Sequence, residues 1–262
     1  MDVLHRSTKT QKAIAASISI GCFLILWQLV TTFTGLAQIM PTPVVVITRF
    51  IKGLYTKIGP YTILGHAFWS LSRVLIAYTV AAIAGIVLGL AMGWNKSIEA
   101  FCRPVFEMIR PIPPIAWIPL SILWLGLGEM TKYFLIFLAA FSNVTMNAYA
   151  GALAVDPVLV GAARMLGANK IQIFTKIVIP SSVPQIFAGL QIALSSSWAT
   201  VVAAEMVRSS EGIGWMIFAG METNNMPQIL VGILAIGLIG FLLAIIMRGA
   251  ETHLCAWNNK GV

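Results

Sequence analysis

Six stretches of this chain run for 18 residues or more without Asp, Glu, Lys or Arg: 13–48, 74–95, 111–128, 133–155, 177–204 and 223–247. A helix of about 20 residues crosses the hydrocarbon core of a bilayer. In hydrocarbon every backbone N–H and C=O must be paired inside the protein, so spanning segments are helices or closed barrels. The stretches predict an all-α membrane protein with six transmembrane helices, near 13–35, 72–94, 108–126, 132–153, 185–206 and 226–248. The chain is 58% hydrophobic and 10% charged, which excludes an ordinary soluble domain. No repeat appears at solenoid or inverted-half scale. The expected organisation is a tail over 1–12, a single transmembrane domain over 13–248 and a second tail over 249–262. The first apolar segment is too long for a signal peptide and shows no small-x-small cleavage site, so it is read as a retained span.

The net charge is +8, and its distribution orients the bundle. With the N-terminus inside, the inner segments carry Arg6, Lys9, Lys12, Lys96, Arg103, Arg110, Arg164, Lys170, Lys176, Arg248 and Lys260. The outer segments carry Arg49, Lys52, Lys57, Arg73, Lys132 and Arg208. Eleven cations against six predict N-in and C-in. These charges lie between spans rather than in one patch. Membrane lipid is therefore their simpler partner, and nucleic acid is not expected. Cys22, Cys102 and Cys255 are far apart and form neither a metal spacing nor a disulfide framework.

The most polar long segment between spans is 154–184. Asp156 is a good N-cap, Pro157 suits the first helical turn, and Gly167 is a natural terminator. Leu159, Ala162, Ala163 and Leu166 share one face of the helix between them. Asn169 can cap a second short helix bearing Ile171, Phe174 and Val178, with Pro180 as its end. Two basic amphipathic helices between spans suit a surface offered to another protein. They suit a loop lying on lipid headgroups equally well.

The residues Gly161-Ala162-Ala163-Arg164-Met-Leu166-Gly167, followed by Phe174, Lys176 and Ile179-Pro180, closely resemble the cytoplasmic EAA loop of ABC importer permeases. Gly161 stands where that loop usually has Glu. The resemblance implies that Asp156, Pro157, Leu159, Gly161, Ala162, Ala163, Arg164, Leu166 and Gly167 form the coupling helix that docks on an ATPase. The run Arg110-Pro-Ile-Pro113-Pro114-Ile-Ala-Trp117-Ile-Pro119 resembles the sulfonate, taurine and nitrate branch of those permeases. Together the likeness extends from about Pro41 to Arg248. It implies the type I importer permease fold in a bacterial cytoplasmic membrane. It also implies two ATPase subunits, a second permease copy (a homodimer) and an extracytoplasmic solute-binding protein. ATP and Mg²⁺ would sit on the ATPase, with no cofactor or metal on this chain. The solute would be a small anion such as a sulfonate, taurine or nitrate, or else an aromatic acid or vitamin precursor.

Other features bear on the pathway. Four prolines at membrane depth in 111–119 interrupt a helix, either as a kinked packing element or as part of a solute path. Asn143 and Asn147 lie one turn apart and suit either interhelical hydrogen bonding or a lining role. Gln191, Ser195, Trp198, Val202 and Glu205 share a face opposite Gly189, Ala193 and Ser197, so one side can pack while the other meets solute. Glu205 is either a functional intramembrane acid or one half of a pair with Arg208. The pathway candidates are thus Arg110, Pro113, Trp117, Asn143, Asn147, Gln191, Ser195, Trp198 and Glu205. Arg73, Arg110 and Arg208 could guide an anion or anchor helices at the interfaces, and the anchor reading is preferred. In the second span, Ala77, Ala81, Gly85, Gly89 and Gly93 recur every four residues and predict close helix packing. Residues 44–57 predict an amphipathic helix on the outer surface, and 207–225 an outer loop or partial re-entry.

The chain contains no Gly-x-x-x-x-Gly-Lys-Ser/Thr, so it cannot itself bind ATP in a P-loop. An autonomous secondary transporter or channel would need ionisable groups near the midplane and paired broken helices. Here the spans offer Asn, Gln, Ser and Trp. His5, His66 and His253 are scattered, which leaves a membrane-embedded enzyme without an acid–base or metal site.

Overall fold

The computed structural model describes residues 9–35, 40–207 and 209–254. They form α1 (Lys9–Phe33), α2 (Pro43–Tyr55), α3 (Ile63–Trp94), α4 (Lys96–Ile109), α5 (Ile118–Leu125), α6 (Glu129–Leu153), α7 (Pro157–Met165), α8 (Lys170–Ile173), α9 (Ile179–Met206), α10 (Ile213–Glu222) and α11 (Met226–Leu254). Among the described residues there is no strand, only an isolated bridge between Ile58 and Tyr61. Five helical segments are long and apolar enough to cross a membrane, or six if one bent pair counts as a span.

The small-residue stripe of α3 does what its spacing predicts. A Cβ on Gly85 would meet Val144 at 3.0 Å, and one on Gly89 would run into the Thr145 carbonyl of α6. The backbones of α3 and α6 therefore approach more closely than any larger residue permits. α9 closes on the same seam, with Ala193 buried beside Ala81, Ala140 and Val144. These three helices are the centre of the bundle. α1 lies outside it, with its apolar side chains largely exposed, and meets the core through Trp27.

Two expected spans differ in form. The third is not one helix over 108–126: α4 and residues 114–125 meet at an 87° bend. Pro111, Pro113 and Pro114 lack the N–H that would continue the ladder, and each biases the residue before it away from helix. The fifth span does not begin after a stop at Pro180. α8 runs through a π turn (Phe174–Val178) directly into α9, giving a 37-residue segment, Lys170–Met206. The Ile179 N–H bonds back to the Phe174 carbonyl, five residues away. This wider turn makes room for Pro180 without breaking the helix. At about 1.5 Å per residue the segment is roughly 55 Å long, well beyond a 30 Å hydrocarbon core. α2 matches the amphipathic helix expected over 44–57, and α10 occupies the 207–225 segment.

Candidate coupling and translocation sites

The α7 segment is built from strong local signals. Asp156 Oδ1 accepts from the Val158 N–H at 2.8 Å, and Pro157 occupies the first turn. At the other end the N–H of Gly167 bonds to the Arg164 carbonyl and that of Ala168 to the Ala163 carbonyl, both at 3.0 Å. That double closure needs a left-handed residue, and Gly167 supplies it with φ +84°. Asn169 and Gln172 then form a reciprocal capping box that starts α8.

The face shared by Leu159, Ala162, Ala163 and Leu166 is only partly covered. Val160 and Ala163, with Val155, Ala168 and Phe174, turn toward a core made by Leu90, Ile173 and Val178. The Trp94 ring sits 5.2 Å from that of Phe174. Leu159 and Leu166 lie on the same side of the helix as Ala163 but are exposed, as are Val158 and Met165. Leu166 is 89% exposed and Met165 86%. Both faces of this helix are apolar, so its periodicity alone does not say which one is covered. Ala162 is half-buried and Arg164 exposed. A side chain at Gly161 would meet open space, so the missing Glu leaves no cavity and no orphaned partner. The result is a capped helix that touches the core through Val160 and Ala163 and shows large apolar side chains to the surroundings.

Three pathway candidates converge. Arg110, Trp117 and Asn143 line a cavity of about 330 Å³ inside the 87° bend, together with Phe106 and Phe141. Pro113 lies exposed beside it, and its carbonyl accepts from the Ala116 N–H to start the 3₁₀ turn that carries Trp117. Asn143 and Asn147 also tie α6 to α9. Asn143 Nδ2 donates to Ser196 Oγ at 3.2 Å, and Asn147 Oδ1 accepts from Gln185 Nε2 at 3.2 Å.

Most of the expected fifth-span face stays together, and Glu205 departs from it. Gln191, Ser195 and Trp198 line a second cavity, of about 320 Å³, against α11, where Gln191 Nε2 donates to Glu251 at 2.6 Å. Trp198 is buried and donates its indole N–H to the Ile236 carbonyl. Glu205 is fully buried. Glu205, two turns beyond Trp198, meets Arg73 of α3 instead of α11. The opposite face, Gly189, Ala193 and Ser197, is buried as its small residues require.

Glu205 belongs to a charge cluster at the end of the bundle remote from α7. Arg73, fully buried on α3, donates to Glu205 at 2.8 Å, to Glu129 at 2.6 and 2.8 Å, and to both the carboxylate and the carbonyl of Glu211. Lys132 bonds to Glu129 and Ser209. The loop before α10 is stitched on through its backbone: the Gly212, Ile213 and Gly214 N–H groups donate to His66, Ser70 and Glu205. Gly212 has φ +110°, and a Cβ there would strike the Glu205 carboxylate. The anchor reading of Arg73 describes this geometry, although its three partners were not foreseen. A lone cation inside an apolar run requires counter-charge, and that is the one hint the sequence carries. Arg208, considered as a partner for Glu205, lies outside the described residues. Among the described residues no three His, Cys, Asp or Glu side chains gather to hold a metal.

Residues 81–256 match the family described as binding-protein-dependent transport system inner membrane component. The taurine transport system permease protein TauC of Escherichia coli is 34% identical over 93% of this chain and 90% of its own length. The nitrate import permease protein NrtB of Synechocystis is 32% identical over 88% of this chain and 86% of its own. A putative aliphatic sulfonates transport permease protein, SsuC of Bacillus subtilis, is 31% identical over 86% and 80%. Among solved structures, the inward-facing MetNI methionine ABC transporter superposes with a TM-score of 0.60 at 17% identity, over 73% of this chain and 96% of that one. An amino acid ABC transporter gives 0.61 at 17% identity, over 78% and 95%. The fold is therefore that of a type I importer permease. The chain belongs to the binding-protein-dependent transport permeases: it is a non-catalytic, multi-pass membrane subunit of an ABC importer, whose ATPase is a separate protein.

Proposed function

We propose that two copies of this chain form the translocation pathway for a small oxyanion-bearing solute, with α7 of each copy seated on one of two ATPase subunits. A binding protein delivers the solute to the end of the bundle that carries Arg73. The orientation, N-in and C-in, follows from the excess of cations on the α7 side. The observation that carries this reading is α7 itself. It is capped at both ends, it touches the core through the half-buried Val160 and Ala163, and it leaves Leu159, Met165 and Leu166 uncovered. A large exposed apolar patch on a helix outside the membrane marks a protein contact. Closure of the ATPase pair around ATP and Mg²⁺ moves the α7 helices, and the rooted α9 carries that movement into the membrane.

The solute class rests on the relatives, named for taurine, nitrate and aliphatic sulfonates. All three bear an anionic oxygen group. Within the bundle, Arg110 with Trp117 and Asn143 offers one cation and one amide in a partly apolar cavity, which suits such a solute. The test is ATP-driven uptake in proteoliposomes containing the complete importer and its binding protein. Labelled taurine, an alkanesulfonate and nitrate should compete for uptake or be carried themselves. Transport of an uncharged or cationic solute, with all three anions inert, contradicts the solute class. An Asn143→Leu change should reduce uptake more than Ala193→Ser does; the reverse ranking would place the path elsewhere.

A further inference from the structure

A cavity of about 730 Å³ opens between α2 and the start of α11, away from both sites described above. α2 has three faces. Val46 and Gly53 are buried against the bundle, and Gly53 lies against Ile63 at the start of α3. Val44, Ile47, Ile51 and Tyr55 form a second face, apolar and exposed. Arg49 and Lys52 stand on the third, and Lys57 follows just past the helix end. All three cations line the groove, with Val45 and Val231 among the apolar residues beside them. Among the described residues none of the three makes an ion pair. The contrast with Arg73 and Lys132 at the same end is sharp, since those two cations are fully matched by carboxylates. Three cations in one groove repel one another until an anion enters.

The exposed apolar face next to the groove indicates what kind of anion. A free inorganic ion would satisfy the cations and leave Val44, Ile47 and Ile51 uncovered. An amphiphile with an anionic head and acyl tails satisfies both surfaces. Tyr55, 83% exposed, and Tyr61 lie at this level, where aromatic side chains mark the headgroup region. We propose that the groove holds the headgroup of an anionic phospholipid, with its phosphate among Arg49, Lys52 and Lys57 and its chains along Val44, Ile47 and Ile51. Bound there, the lipid bridges α2 to α11 and fixes the amphipathic helix at the membrane surface.

The test is lipid retention by the purified full-length permease in detergent, read by native mass spectrometry. The protein is titrated with phosphatidylglycerol, with phosphatidylcholine of the same chains, or with inorganic phosphate. Each surface cation is worth about fivefold in affinity for an anionic lipid, so the three together give roughly a hundredfold. Wild type should retain phosphatidylglycerol over phosphatidylcholine. The Arg49→Gln/Lys52→Gln/Lys57→Gln variant should lose that preference, Lys52→Gln alone should lose about fivefold, and Lys96→Gln/Lys170→Gln/Lys176→Gln should keep it. All three groove side chains are exposed, so their replacement leaves the core intact. Equal retention of the two lipids, undiminished retention by the groove variant, or inorganic phosphate displacing the lipid at equal concentration would overturn the proposal. So would a photo-crosslinker at Lys52 that captured the binding protein instead of lipid.

Discussion

The two ends of the bundle solve opposite problems. At the Arg73 end, charged groups are drawn inside and matched: one guanidinium reaches three carboxylates, and the backbone of the next loop fills the remaining acceptors. At the α7 end, large apolar groups are pushed outside and left unmatched. A buried ion is tolerated only where partners are complete, so the first end is committed to a single arrangement within the chain. An exposed leucine or methionine tolerates water and gains when a partner covers it, so the second end is prepared for association. The small-residue seam of α3 and α6, together with the unbroken α8–α9 segment, joins one end to the other.

Substitutions at the two ends should have different consequences. The largest effect belongs to Arg73→Ala, which strands Glu205 and leaves Glu129 and Glu211 to repel each other. It should cost about 3–5 kcal/mol of stability, seen as early thermal unfolding in detergent. An unchanged melting temperature would mean that the cluster does not hold the outer end. Gly89→Val comes next, at about 1–3 kcal/mol, because the new side chain collides with the α6 backbone at Thr145. Its effect should appear as lower stability and loss of folded protein; normal yield and melting would show that the seam can open.

Gly167→Val acts on the other end. A β-branched residue at φ +84° costs about 1–2 kcal/mol locally, and the site lies on the surface. Global melting should therefore barely move, while uptake per ATP hydrolysed falls at least about fivefold. Normal coupled transport would count against the docking role. The smallest effect is Asp156→Ala, which removes one N-cap bond worth about 1 kcal/mol. It should weaken coupling in the same direction as Gly167→Val, and to a lesser degree. Stability loss at the Arg73 end and coupling loss at the α7 end are separate readouts. If every variant lost both together, the division between the ends would be wrong.

The sequence reveals features that are local. Span number follows from apolar length, and the bounds of α7 and the start of α8 follow from Asp156, Pro157, Gly167 and Asn169, since a cap is a matter of three or four neighbouring residues. The small-residue stripe of α3 was legible for the same reason. Less legible were features that depend on tertiary context. Prolines 111, 113 and 114 announce a break but not an 87° bend. Pro180 looked like a stop because proline usually is one; the preceding π turn, which absorbs it, has no clear sequence mark. The Arg73 partners lie 56, 132 and 138 residues away, beyond any spacing rule. On α7, Val158, Val160 and Met165 extend the apolar surface beyond the leucine–alanine face, so what packs is decided by Leu90 and Val178 elsewhere in the chain. Gln191 and Glu205 share a helical wheel, yet α9 is long enough for one to meet α11 and the other Arg73.

The most direct measurement is a site-specific crosslink in the assembled importer. In a background with Cys22, Cys102 and Cys255 replaced by Ser, a single Leu166→Cys is paired with cysteines scanned over the ATPase surface, and Tyr61→Cys marks the opposite end. Leu166→Cys should crosslink to the ATPase with a yield that changes between nucleotide-free and ATP-bound states, and Tyr61→Cys should give no ATPase product. No ATPase crosslink from Leu166→Cys, or an equal one from Tyr61→Cys, would contradict the claim that α7 is the surface through which the motor drives this bundle.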